Sequence, residues 1–153
     1  MTIPSTTRPC RLLGYAGLLP FAAAAAAALL GPPMWRNIAL SALAGYGAVI
    51  LSFLGAVHWG LALGAPPEEA RAAWPRLAFG VLPALVGWSA LLAPIRPSLL
   101  VLAAAILATA AVESAAARRG LLPRSYLALR WPLSLGAVGC LLVGALAAAP
   151  DPG

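Results

Sequence analysis

Charge is what this sequence has least of. Of 153 residues, ten are basic and four acidic, so charged side chains make up 9% of the chain. A soluble domain carries about 25% charged residues, and so few cannot coat a water-soluble surface. Lysine is absent, and the ten basic residues are all arginine. Histidine occurs once and cysteine twice. Cys10 and Cys140 stand in no CxxC or CxxH pattern, which speaks against a zinc site or a redox pair. Their different expected depths also speak against a disulfide. Together these shortages exclude a soluble globular enzyme, a disordered chain and a disulfide-stapled secreted domain.

Apolar residues fill the space instead. They make up 62% of the chain, and the mean hydropathy is +0.92. A membrane-spanning helix needs about 20 apolar residues, with a range of roughly 17–25. Five segments qualify: 12–31, 37–64, 77–93, 98–117 and 132–149. No segment alternates as a barrel strand would. The expected fold is therefore all-α: a polytopic membrane helical bundle with five transmembrane helices, forming a single membrane domain over 1–153. Pro20 and Pro83 fall inside spans and predict kinks. The first span is longer than the 7–15 residues of a signal-peptide core, so it reads as a retained helix.

The connections alternate in character. PPMWR (32–36) and PIRP (94–97) are tight and predict antiparallel hairpins. The segments 65–76 and 118–131 are longer and rich in arginine. The second predicts a short interfacial turn around Tyr126, Leu127 and Leu129. Glu68 and Glu69 read as solvated charges opening a short helix after Pro66 and Pro67. Arg8, Arg11, Arg71, Arg76, Arg118, Arg119, Arg124 and Arg130 all fall on one side of the expected membrane, and Arg36 and Arg96 on the other. The positive-inside rule then gives an N-in/C-out topology. The arginines flank apolar runs and form no stripe with interleaved aromatics, so they imply lipid contact rather than nucleic-acid binding.

Four stretches carry a family resemblance: LGYAGLLPF (13–21), YGAVILSFLGAVHWGLAL (46–63), GVLPALVGWSALL (80–92) and LPRSYLALRWPLSLGAV (122–138). SFLGAVHWG is the most specific of them. Together they resemble a family of small bacterial inner-membrane proteins known only as a domain of unknown function. That family has a eukaryotic relative described as a mitochondrial transmembrane protein. This sequence departs from the pattern at Ala56, where the family has glycine, and at Ser125, where it has tryptophan. It departs again at Ser134, in place of threonine, and at Glu113, in place of aspartate. The resemblance implies a bacterial cytoplasmic (inner) membrane location and a helical architecture. It implies no activity.

Two patterns inside the spans bear on function. Span two carries small residues at every fourth position: Ala44, Ala48, Ser52, Ala56, Gly60 and Gly64. Small side chains let a second backbone approach closely. The stripe predicts packing within the chain, or else a seam with a second copy. Polar residues form the other pattern. His58 lies roughly 9 Å and Glu113 roughly 6 Å below the cytoplasmic surface at 1.5 Å rise per residue. Arg130 enters the membrane from that surface. An unpaired polar group in hydrocarbon costs several kcal/mol, so these groups should seek one another. The expected cluster is His58, Glu113 and Arg130, with Arg76 as the next candidate and Trp59 and Tyr126 at its border. It would lock spans two, four and five, or form a small anion- or proton-binding site facing the cytoplasm.

The sequence holds no phosphate loop, no HExxH, no GxSxG and no paired-aspartate metal motif. No catalytic role, metal or cofactor is expected. The function expected is a structural or assembly partner in a membrane complex. A small oligomeric transporter or channel with a cytoplasmic-side polar site is the alternative. The partners implied are the lipid bilayer and either a second copy of the chain or a larger membrane complex.

Overall fold

A computed structural model describes residues 7–64, 70–120 and 124–148. Among these residues the fold is entirely helical. The segments are α1 (Thr7–Ala16), α2 (Leu19–Leu30), α3 (Pro33–Leu63), α4 (Ala70–Ala90), α5 (Ile95–Arg118) and α6 (Arg124–Ala147). Glu68 and Glu69 lie outside the described residues.

α1 and α2 form one rod with an interruption at Gly17 and Leu18. Pro20 explains the break. Its ring removes a backbone N–H and crowds the carbonyl one turn back. A neighbouring helix takes up part of the loss, as membrane helices require. The Tyr46 hydroxyl on α3 donates to the Gly17 carbonyl at 3.0 Å, and its ring packs edge-on against Phe21 at 4.8 Å. At Pro83, by contrast, α4 continues without interruption.

α3 is the central helix, packing against α2, α4, α5 and α6. Its buried face carries Leu40, Leu43, Ala44, Gly47, Ala48, Leu51, Gly55 and His58. Leu99, Leu102 and Ile106 of α5 and Leu141 of α6 complete an apolar core. Outside that core the chain presents large apolar groups: Leu30, Leu63, Trp74 and Leu146 are each more than three-quarters exposed. Water would not tolerate such a surface, whereas lipid would.

Among the described residues four helices are long and apolar enough to cross a membrane: Arg8–Leu30, Pro33–Leu63, Ile95–Arg118 and Tyr126–Ala147. The segment expected as the third span, 77–93, is not among them. Its helix, α4, runs over 70–90, and Trp74, Pro75, Arg76, Pro83 and Trp88 dilute its apolar character. A second boundary also differs from expectation. The last helix begins at Arg124, not at Pro132, so Tyr126 and Arg130 stand on a continuous helix rather than in an interfacial turn.

The small-residue stripe requires a larger correction. Ala56, Gly60 and Gly64 are exposed and Ser52 is half-buried. A Cβ added at Gly60 would meet nothing within 4 Å. The reason is angular. At 3.6 residues per turn, steps of four drift by about 40° each, so Gly60 faces roughly 160° away from Ala44. Steps of seven drift by only about 20°. The close approach therefore uses Ala48 and Gly55 on α3, seven apart, against Gly87 and Gly80 on α4, also seven apart. A Cβ on Gly55 would strike the Gly80 carbonyl, and one on Gly87 would sit 3.2 Å from the Ala48 carbonyl. The two helices are antiparallel in that register.

Leucine at Gly55 should therefore cost about 1–3 kcal/mol through overpacking, while leucine at Gly60 should leave the monomer's stability unchanged. Thermal melts of both variants in mild detergent check this. Equal melting points for the two would refute the register.

Candidate functional site: a buried ion pair across three helices

Glu113 stands on α5, five residues before its end at Arg118, and is 1% exposed. Three other groups converge on its carboxylate. Arg130, the seventh residue of α6, donates from Nε to Oε2 at 2.6 Å. The Tyr126 hydroxyl, one turn earlier on α6, donates to Oε1 at 3.2 Å. His58 of α3 brings Nε2 to 3.5 Å from Oε1. The chain is short of charge, yet it buries a carboxylate and a guanidinium together.

The surrounding hydroxyls explain how that burial is tolerated. Arg130 donates from Nη2 to Thr109 Oγ1 at 2.9 Å and from Nη1 to Ser134 Oγ. Each hydroxyl has already spent its proton on its own helix. Thr109 donates to the Ile106 carbonyl at 2.8 Å, and Ser134 donates to the Arg130 carbonyl at 2.8 Å. Back-bonding of this kind leaves a hydroxyl as an acceptor. Both then turn lone pairs toward the cation. Beside them Ser114 repeats the device: it donates to the Ala110 carbonyl and accepts from Trp131 Nε1 at 3.0 Å.

Helical spacing sets these positions. Thr109 precedes Glu113 by one turn, and Ser134 follows Arg130 by one turn, so each lies on the same face as its charged neighbour. Sequence reasoning did not single out Thr109 or Ser114, and named Ser134 only as a departure from the family pattern. The four-residue offset from a charged residue was the signal that could have found Thr109 and Ser134.

The structure brings His58, Glu113, Arg130 and Tyr126 together. Trp59 faces elsewhere: its indole donates to the Leu77 carbonyl of α4 at 3.1 Å, and its ring covers Gly80. Arg76 is half-buried on α4, three residues before Phe79. Phe79 closes the fourth side, meeting the His58 ring edge-on at 4.7 Å. His58 Nε2 is buried with no hydrogen-bond partner; its contact with Glu113 is electrostatic and long. Among the described residues no three potential metal ligands converge. Cys10 is exposed, Cys140 is half-buried, and both are free thiols.

The family described as "Protein of unknown function (DUF3429)" matches residues 6–146. The chain belongs to this family. The match spans α2 to α5 whole and reaches from the start of α1 into the last turn of α6. It thus takes in the whole polar cluster. The chain is also similar to "Transmembrane protein 69" of Xenopus tropicalis, 41% identical over 87 residues. That stretch is 56% of this chain and 33% of the relative, so this chain spans about a third of that protein's length. No solved structure matches. With four apolar helices of spanning length and a transmembrane relative, this family member is a multi-pass membrane protein.

A buried ion pair in lipid is costly to break. Glu113→Gln leaves Arg130 without its counter-charge and should lose about 3–5 kcal/mol, while Glu113→Leu combined with Arg130→Met should recover most of that loss. Unfolding titrations in sodium dodecyl sulfate measure both. A single variant as stable as the parent would show that the pair holds nothing together.

Proposed function

We propose that this protein is a non-enzymatic, five-span protein of the bacterial cytoplasmic membrane that serves as a structural or assembly partner in a larger membrane complex. The observation that carries this reading is the charge balance of the polar cluster. Glu113 and Arg130 neutralise each other, and the guanidinium is bonded to Glu113, Thr109 and Ser134. Such a set locks α5 and α6 at fixed register and leaves no charge uncompensated for turnover. What remains available to others is the outer surface, including the exposed Ala56, Gly60 and Gly64 face and five exposed tryptophans.

The cluster's position supports five spans. His58 lies near the end of α3, Glu113 near the end of α5 and Arg130 near the start of α6. Their contact puts those three helix ends on one side. A chain that crosses back between α3 and α5 does so through α4, the one helix between them among the described residues. Its 21 residues extend about 31 Å, the thickness of a hydrocarbon core. It carries Trp74 near one end and Trp88 near the other, as interfacial anchors do. Arginine placement supports an N-in/C-out orientation within a single membrane domain. Alkaline phosphatase fused after Ala149 should be active and a fluorescent protein fused there dark. The reverse pattern would overturn the orientation.

The assembly role predicts that the native protein, extracted in mild detergent, migrates with a larger complex at fixed stoichiometry. Migration as an isolated monomer would refute it. One observation favours the second reading, a small oligomeric transporter: the bare Nε2 of His58. Under that reading the protein self-associates, and His58→Gln abolishes transport without lowering stability.

A further inference from the structure

A cavity of about 180 Å³ is lined by Arg130 and Ser134 but not by Glu113. α1 and α2 contribute Leu13 and Phe21, α3 contributes Phe53 and Leu54, and α6 contributes Leu133 and Ala137. Its wall is apolar except at one place, where Arg130 and Ser134 reach it. Leu13 and Phe53, on its rim, are 71% and 64% exposed. The cavity therefore opens sideways between α1 and α3, toward whatever surrounds the bundle. In a multi-pass membrane protein that surrounding is lipid.

We infer that this cavity binds one acyl chain of a membrane lipid, with the chain's ester carbonyl accepting a hydrogen bond from Arg130. Size comes first. An apolar cavity of about 150 Å³ holds a single benzene ring, so this one takes a short length of chain and leaves the rest in the bilayer. Charge comes next. Glu113 already neutralises Arg130, so the site suits a neutral acceptor rather than a free anion. The donor is identifiable. Guanidinium carries five N–H groups, and three are directed at Glu113, Thr109 and Ser134. Nη1 and Nη2 each keep a second N–H. Arg130 and Ser134, joined through Nη1, both line the cavity, which makes the spare Nη1 N–H the donor we assign. Depth agrees as well. Arg130 lies six residues into α6, about 9 Å along the axis from Arg124, near the boundary where ester carbonyls of a bilayer reside. Ser134 cannot be the donor, because its proton is on the Arg130 carbonyl.

The test uses the full chain in dodecylmaltoside and native mass spectrometry. Two probes are added at equal concentration: dioleoyl phosphatidylcholine and its diether analogue, which has the same chains and headgroup but no carbonyl. One diester molecule per chain should be retained, and the diether should bind about fivefold more weakly, the worth of one net hydrogen bond. Leu54→Trp, which fills the cavity from its rim, should lower diester retention about tenfold, what burying two methylene groups is worth. A melting point for this variant shows whether it has folded. Equal retention of diester and diether would overturn the proposal, since headgroup or chain alone would then explain binding. Undiminished retention by a folded Leu54→Trp would overturn it too, by moving the lipid elsewhere. Should Leu54→Trp not fold, the ester-against-ether comparison on the unaltered chain still decides.

Discussion

The Glu113–Arg130 pair governs this structure. In a soluble protein a buried ion pair competes with the water it gave up, and its net contribution is small. Inside a bilayer neither ion can return to water without its helix leaving the membrane. The pair then acts as a constraint on register. α5 and α6 can slide only as far as a 2.6 Å contact permits. Thr109 and Ser134 tighten it, because each is bonded both to its own helix and to the guanidinium. The apolar core would tolerate several sliding registers, since leucine against leucine is much the same one turn away. The polar contacts would not.

α3 is held by a different kind of contact on each side. Toward α5 and α6 it presents leucines and His58. Toward α4 it presents Ala48 and Gly55, where the helices meet backbone to backbone. That approach has little hydrophobic driving force in lipid and depends on van der Waals fit. It also brings Phe79 within reach of the His58 ring. Removing the glycine contact would thus loosen one wall of the polar site without touching a charged residue. Packing and electrostatics are coupled here through a single side chain, His58.

Much of this was legible in the sequence, and the limits have physical causes. Spanning helices follow from run length and hydropathy, because the bilayer imposes both. The convergence of His58, Glu113 and Arg130 follows from depth: polar groups at similar levels in hydrocarbon have few other partners. What failed was azimuth. The stripe from Ala44 to Gly64 looks continuous in one dimension, yet it winds around the helix, and only three-dimensional packing shows that Gly55 meets Gly80. Helix starts failed for a related reason. The apolar run of the fifth span begins at Pro132, after the arginine-rich segment, but α6 carries that proline in its interior. α4 is ambiguous because its tryptophans and prolines, which suit an interface and a tight crossing, lower its hydropathy.

The hydroxyls beside the cluster show why a membrane protein can hold an arginine at all. A guanidinium has five donors and no acceptor, so in lipid it must be surrounded by oxygen. A single carboxylate supplies too few well-placed lone pairs for the whole fork. Serine and threonine that bond back to their own helix supply more, without bringing a donor that needs a partner in turn. The chain therefore spends two small polar residues to make one cation tolerable, and it does so at helical offsets that keep the backbone regular. The same arrangement leaves two N–H groups over, one on each terminal nitrogen. Arg130 also lines the cavity, whose wall is otherwise apolar but for Ser134. In this fold the element that closes the bundle and the group best placed to meet a lipid oxygen are the same side chain.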